Sequence, residues 1–263
     1  MPNILETIIN HKKQELIKRE KTIPLAKLVK KLKNNQLKPN NFLSNLLNHS
    51  TGDIGLIAEI KLASPSAGRL GDRKNIIKRA LTYQKAGADV LSIITDNKFF
   101  NGQTSFITKV KNRSSLPILQ KDFVIDPYQL YEAKLAGADA ILLIAQIIKA
   151  EKLTELVSLA QNLGLEPVIE VASKKELKTT LLTSATCIGI NARNLKDFSL
   201  DIKKACQLGK LIPRSKVFLG LSGIKSRTDV EQYQRAGAKA ILVGTSLMQS
   251  KNIKKLIKKL KNI

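Results

Sequence analysis

The sequence predicts an α/β protein, a (β/α)8 TIM barrel with an N-terminal helical extension. Three observations carry that prediction. Eight short β-branched runs, apolar almost throughout, follow one another beyond residue 50, as expected of parallel strands covered on both faces. Most are separated by a stretch able to form a helix, and eight βα units in about 210 residues suit a closed barrel. The third is an internal echo. Ala86-Gly87-Ala88-Asp89, Ala136-Gly137-Ala138-Asp139 and Ala236-Gly237-Ala238-Lys239 each end a helical stretch and open a strand, with glycine at the left-handed position that closes a helix. An open doubly wound sheet is the competing architecture. It would more often carry a glycine-rich fingerprint after its first strand, and none is present here.

The elements follow in order. Residues 1–50 read as helical, with Ile4, Ile8 and Ile9, then Leu16 and Ile17, then Leu25, Leu28, Val29 and Leu32 on apolar faces; Asn34, Asn35, Pro39, Asn40 and Asn41 interrupt them. This segment is expected to pack on or over the barrel, and 51–263 to form the barrel itself, within a single domain. Strands are expected at 56–60, 89–95, 117–121, 139–144, 165–171, 187–191, 216–221 and 239–244. The tail 251–263 places Ile253, Leu256, Ile257 and Leu260 at the spacing of one helix face, with lysine filling the other, the pattern of a packed terminal helix with a solvated face.

Composition bounds the function. A chain of 263 residues that is 43% apolar is no disordered segment and needs no disulfide or metal staple. Its longest uninterrupted apolar run is 140–145, far short of the roughly 20 residues that cross a bilayer. Residues 1–14 lack the apolar stretch of a secretory signal, so the cytosol is the expected compartment. Cys187 and Cys206 suit free thiols there. The net charge of +24 raises the question of nucleic acid. Half of the excess lies in residues 1–50 and 251–263, and no aromatic residues interleave to stack bases. The expectation is therefore no nucleic-acid or membrane partner, with the basic field available to speed capture of an anionic substrate.

In a barrel, reactive groups gather where strands end. Here the first strand ends in Glu59-Ile60-Lys61, the third in Lys121-Asp122, the fifth contains Glu170, the sixth ends in Asn191-Ala192-Arg193, and Ser222-Gly223 follows the seventh. Any one of these is an ordinary polar strand cap; five together point to a site. Glu59 and Lys61 are two apart and share a face, as do Asn191 and Arg193. The only histidines, His11 and His49, lie in the extension. Proton transfer in the mouth therefore falls to carboxylates and lysines, with pKa values expected to move toward neutrality. A metal-free site is expected, since no histidine and no cluster of acids offers a ligand set. Ser222-Gly223-Ile224 and Gly244-Thr245-Ser246 place small residues with backbone N–H groups after the last two strands, where barrels frequently hold phosphate.

The strings Ala58-Glu59-Ile60-Lys61-Leu62-Ala63-Ser64-Pro65-Ser66, Lys98-Phe99-Phe100-Asn101-Gly102, Leu119-Gln120-Lys121-Asp122-Phe123-Val124-Ile125-Asp126-Pro127-Tyr128-Gln129 and Gly189-Ile190-Asn191-Ala192-Arg193-Asn194-Leu195 resemble the indole-3-glycerol-phosphate synthase family. The resemblance runs in order over about residues 55–250. It implies a cofactor-free lyase of tryptophan biosynthesis, most simply a monomer. Its substrate would be a phosphosugar bearing an anthranilate ring, 1-(2-carboxyphenylamino)-1-deoxyribulose 5-phosphate, closed with loss of carbon dioxide and water to indole-3-glycerol phosphate. By the same resemblance Lys121 is a general acid, Glu170 a general base, and Lys61 a second catalytic lysine that grips the anthranilate carboxylate or also moves a proton, so either lysine can be the principal acid. Glu59 and Asn191 orient Lys121 and the sugar hydroxyls, and Arg193 and Ser222 position the substrate. Ser64, Gly223, Gly244 and Thr245 match phosphate-gripping positions, and Phe100, Asn101 and Gly102 flank the ring. Leu221 departs from the family pattern, which generally has Glu there. Two other readings are a phosphoribosyl-type isomerase, which would share the phosphate loops, and a basic nucleic-acid-binding barrel.

Overall fold

Eight parallel strands close into a ring, in the computed structural model that describes residues 4–33, 41–48, 54–194 and 199–262. The strands are β1 (Gly55–Ile60), β2 (Val90–Ile94), β3 (Ile118–Lys121), β4 (Ala140–Ile144), β5 (Glu166–Val171), β6 (Cys187–Asn191), β7 (Val217–Leu221) and β8 (Ala240–Val243). Each pairs with its chain neighbour, and β8 pairs back to β1, for example Leu56 opposite Ile241. All eight expected runs are strands. A short hairpin, Ala63–Ser64 against Gly68–Arg69, follows β1.

The extension supplies α1 (Ile4–Thr22), α2 (Leu25–Lys33) and α3 (Phe42–Leu47). Asn34, Asn35, Pro39, Asn40 and His49 lie outside the described residues. Around the ring come α4 (Ile76–Lys85), α5 (Ser105–Lys111), α6 (Pro127–Ala136), α7 (Ala150–Asn162), α8 (Lys174–Thr180), α9 (Ile202–Gly209), α10 (Arg227–Arg235), α11 (Thr245–Gln249) and α12 (Ile253–Lys261). The repeated Ala-Gly-Ala turns behave as the sequence predicts. Gly87, Gly137 and Gly237 take φ of 95°, 93° and 97°, a conformation that costs a side-chain-bearing residue energy and glycine nothing.

Strand alternation divides the core in two. Leu56, Ala58 and Ile60 of β1, Ile141 and Leu143 of β4, and Ile188 and Ile190 of β6 face outward onto the helices. Ile57, Val90, Leu119, Ala140, Leu142, Ile144, Val168, Cys187, Leu219, Leu221, Ala240 and Leu242 fill the barrel interior. Phe42 and Leu46 of α3, both fully buried, join that interior cluster. They close the end where the strands begin, since a Cβ on Gly55 would meet the Leu46 carbonyl oxygen. Near α6, Leu16 and Leu28 pack with Tyr128, whose hydroxyl donates to the Ile23 carbonyl at 3.0 Å. Ile17 departs from the expected apolar face. It is 57% exposed, because the buried stripe of α1 runs through Leu5, Ile8, Lys12 and Leu16 and leaves Ile17 turned to the opposite side. In the tail, Ile257 and Leu260 are buried as expected, and Lys261 is also buried, donating to Asp89 at 2.9 Å.

Glu166 opens β5 with its Oε1 buried and without a hydrogen-bond partner. Burial pushes its carboxyl from an ordinary 4.5 up to about 7, against a smaller opposing effect of the Cys187 thiol. A carboxyl that holds its proton more tightly when folded contributes stability below its unfolded value, and that contribution is lost as pH rises through the folded value. Glu166→Gln is therefore expected to melt at a higher temperature than the parent at pH 8 and at nearly the same temperature at pH 4. Thermal unfolding at both pH values checks this; an equal difference at the two would contradict it.

Candidate active site

The alternation that fills the barrel also builds its mouth. Continuing inward from Ile57 gives Glu59, from Leu119 gives Lys121, from Val168 gives Glu170, from Cys187 gives Asn191 through Gly189, and from Leu219 gives Leu221. These last inward positions open into a cavity of about 510 Å³, within the roughly 300–1,000 Å³ of small-molecule sites. Leu142, Ile144, Leu221 and Leu242 make its apolar floor. Polar groups line its walls.

Two ion pairs stand in it. Lys121 Nζ lies 3.2 Å from Glu170 Oε2, and Lys61 Nζ lies 3.0 Å from Glu59 Oε1. Both carboxylates are nearly fully buried while the lysines keep some exposure. Asn191 Nδ2 donates to Glu170 Oε1 at 2.8 Å, and Asn191 Oδ1 accepts from the Arg193 backbone N–H at 2.9 Å. Glu170 is therefore gripped on both oxygens, by an ammonium and by an amide. The expectation that lysine moves down and glutamate up does not hold for Lys121 and Glu59. Burial favours neutral Lys121, but Glu170 and Glu59 outweigh it and raise its pKa. Burial likewise favours neutral Glu59, yet Lys61 and Lys121 lower it. Each group faces two opposite charges, whose combined effect exceeds desolvation.

The rim is formed by the loops after the strands. Ser222 and Gly223, following β7, take φ of 69° and 82°, and the Tyr233 hydroxyl pins that turn by donating to the Leu221 and Ser222 carbonyls, each at 3.3 Å. Ser246 Oγ donates to the Ile224 carbonyl at 2.7 Å, tying the loop after β8 to the loop after β7. Ser64, Gly223, Gly244, Thr245 and Ser246 all face the cavity. Ser64 Oγ accepts from the Ala67 N–H at 3.1 Å, which shapes the hairpin over the rim. Gly244 is a close-approach glycine, since a Cβ there would run into the Glu59 carboxylate.

The structure thus brings together Glu59, Lys61, Ser64, Phe100, Lys121, Glu170, Asn191, Arg193, Ser222, Gly223, Gly244 and Thr245. It does not bring Asn101 and Gly102 to the cavity. Asn101 sits at φ 56° in a turn, and a Cβ on Gly102 would strike the Ile94 and Asp96 carbonyls. These two residues shape the loop that presents Phe100 and are not in the cavity wall. His11 packs edge-on to Phe99, ring centroids 5.8 Å apart, outside the cavity lining. Among the described residues no group of three or more His, Cys, Asp or Glu is placed to hold a metal ion, and no helix is long and apolar enough to cross a membrane.

Sequence reasoning missed a charged cluster beside the mouth. Lys12 of α1 is fully buried, with Nζ 3.0 Å from Asp122 Oδ1, 3.1 Å from Asp96 Oδ2 and 3.0 Å from Glu15 Oε2. Burial alone would strip its proton, but Asp122, Asp96 and Glu15 prevail and hold its pKa above the usual lysine value. The signal was present: Lys12 falls four residues after Ile8 and four before Leu16, inside the apolar stripe.

Over residues 5–260 the chain matches the family model described as indole-3-glycerol phosphate synthase. The chain belongs to the indole-3-glycerol phosphate synthase family. Curated relatives of that name span nearly their whole length and this chain's. The one from Caldanaerobacter subterraneus subsp. tengcongensis is 40% identical over 260 residues, covering 98% of this chain and 99% of its own. The one from Aliarcobacter butzleri is 38% identical over 259 residues, with 98% of each covered. The barrel is also similar to solved structures of 3-hexulose-6-phosphate synthase (TM-score 0.63, 16% identity) and of a chain of the tryptophan synthase α2β2 complex from Pyrococcus furiosus (TM-score 0.60, 19% identity), covering 80% of this chain and 99% of theirs in each case. That likeness speaks to fold. As an indole-3-glycerol phosphate synthase family member, the chain is an enzyme of tryptophan biosynthesis acting on a phosphosugar.

Gly244→Ala tests the packing of the Glu59–Lys61 pair. The added methyl drives the Glu59 carboxylate from its place, and turnover is expected to fall by roughly 10-fold or more, since displacements of about 1 Å can cost about 10²-fold. Steady-state kinetics beside a melting curve checks it; a folded variant with parental turnover would show that the pair tolerates displacement.

Proposed function

We propose that this chain closes the indole ring of 1-(2-carboxyphenylamino)-1-deoxyribulose 5-phosphate, releasing carbon dioxide and water, as a carboxy-lyase that works by lysine and glutamate acid–base chemistry. The observation that carries the reading is the Lys121–Glu170 pair, 3.2 Å apart at the wall of the cavity at the barrel mouth. A donor and an acceptor of protons within reach of each other suit a reaction that needs both.

The balance of the reaction assigns the roles. The ring carbon bearing the carboxylate attacks the sugar's ketone carbon, forming the new C–C bond, and the carbonyl oxygen takes a proton. The carboxylate leaves as carbon dioxide and its electron pair restores the aromatic ring. The new hydroxyl takes a second proton and departs as water, while a proton is removed from the adjacent CH₂ to form the pyrrole double bond. Two protons go in and one comes out. Lys121 is the donor and Glu170 the acceptor, and their contact lets the proton collected by Glu170 return to Lys121, leaving one to be drawn from water. The raised pKa of Lys121, set by Glu170 and Glu59 against burial, keeps the donor protonated before the reaction begins.

Lys61, beside the cavity and steered by Glu59, holds the anthranilate carboxylate, with Phe100 against the ring. Asn191 and Arg193 position the substrate with Ser222. Phosphate goes to the backbone N–H groups of the Gly223 and Gly244–Thr245 loops with Ser64, where the Ser246–Ile224 bond keeps the two loops together. Leu221 contributes apolar floor beside Asn191, its strand neighbour. The working unit in this reading is a monomer. No metal or cofactor takes part in the scheme.

Incubation with the carboxyphenylamino sugar phosphate is expected to produce indole fluorescence, and failure to form product would overturn the reading. Lys121→Ala and Glu170→Gln are each expected to lower kcat by about 10²–10⁴-fold, the range for removing an acid or a base, with unfolding curves close to the parent's. Near-normal turnover in both variants would refute their roles.

A further inference from the structure

We propose that Lys12 of the N-terminal extension is a positioning residue for this reaction: its ammonium clamps Asp96 and Asp122 together and so fixes where Lys121 and the Phe100–Phe123 wall stand. The inference rests on the reading of Lys121 as the proton donor.

Each carboxylate belongs to a different strand end and organises a different part of the site. Asp122 directly follows Lys121. Its Oδ1 accepts from the Phe123 N–H at 2.8 Å and its Oδ2 from Thr95 Oγ1 at 2.6 Å. Asp96, just past β2, accepts the Phe99 N–H on Oδ1 at 2.9 Å, and its carbonyl accepts the Gly102 N–H at 2.7 Å. That turn presents Phe100 to the cavity, and the Phe100 and Phe123 rings meet with centroids 6.0 Å apart. Asp96 is wholly buried and Asp122 is 5% exposed, and the Lys12 cation stands within reach of both. Around it lie Glu15 and Arg19 of the same helix and Glu132 of α6, which pairs with Arg19 at 3.2 Å. Without Lys12, two like charges in a poorly solvated place repel, and the ends of β2 and β3 move apart, taking the aromatic wall and the donor in different directions.

A simple anchor for α1 would not be built this way. Burying an ion pair is costly, and an apolar side chain often serves stability as well or better. The helix already has an apolar anchor in Leu16, which packs with Leu28 and Tyr128. The cation stands instead where two carboxylates from the barrel need one.

The test compares two variants of the whole chain. Lys12→Met keeps length and removes charge; Leu16→Ala loosens the same helix without touching either carboxylate. Lys12→Met is expected to lower kcat by roughly 10–100-fold with KM changed less than about threefold, as for displaced catalytic groups, whereas Leu16→Ala lowers the melting temperature and leaves kcat within about twofold of the parent. Retention of more than about half of kcat in Lys12→Met, or an equal kcat loss in Leu16→Ala, overturns the proposal. If Lys12→Met does not fold, Lys12→Met/Asp96→Asn, which also removes the repulsion, is expected to fold with a smaller kcat loss of about threefold or more, because the tie between the two strand ends is still missing. A double variant with parental kcat, or one that also fails to fold, assigns Lys12 to stability and overturns the positioning role. Lys121→Ala assayed in parallel separates the two readings, because near-normal turnover there sinks the donor assignment whatever Lys12→Met does.

Discussion

The constraint on which this molecule depends is parity. A parallel strand points every second side chain to one face, and closing eight of them into a ring sends one set inward and the other under the helices. The inward set is mostly apolar from the floor made by Phe42 and Leu46 up to Leu142 and Leu242, with Ser92 and Glu166 as polar members of the same parity. Its last places are held by Glu59, Lys121, Glu170 and Asn191. Charges on top of a dry column are tolerable only if they are paired or reach water, and here they do both. Each buried carboxylate meets an ammonium or an amide, and each lysine keeps part of itself in the cavity. A slip of one residue in any strand would turn the charge into the helix layer and the aliphatic side chain into the mouth.

Much of this was legible in the sequence because parity and strand ends are one-dimensional signals. The eight runs, the three Ala-Gly-Ala turns and the five polar strand ends map directly onto the barrel and its mouth. The string from Lys121 to Gln129 has a further structural meaning: Asp126 and Gln129 form a reciprocal cap on α6, and Gln129 Nε2 also donates to the Phe123 carbonyl at 3.0 Å, holding the loop after β3. Other features depend on three-dimensional proximity. The direction of the Lys121 and Glu59 shifts is set by which charges become neighbours across the ring, and spacing cannot give that. Asn101 and Gly102 share a motif with Phe100, yet a motif does not say which member faces the ligand and which one makes the bend. Lys12 was readable only as an irregularity in a stripe, and its partners lie about 80 and 110 residues away in a barrel whose closure brings them together.

On the proposed assignment the same geometry accounts for acid–base work in a cavity that no histidine among the described residues lines. A neutral-range group is one way to give and take protons near pH 7; a coupled pair is another. In the proposed scheme the proton passes between Lys121 and Glu170 across their 3.2 Å contact. Pairing raises the Lys121 pKa, so its proton is not lost to solvent in the resting site. In the proposed scheme it is released as the substrate's oxygen gains basicity during C–C bond formation, so the free energy for that transfer comes from the bond-forming step. Raising turnover by drawing Lys121 toward neutrality would work against this, because a lysine that is uncharged at rest can neither donate a proton nor stabilise the developing oxyanion. On the proposed assignment the buried carboxylates keep the donor amine charged, and the depth at which Glu59 and Glu170 are set belongs to the chemistry as well as to the fold.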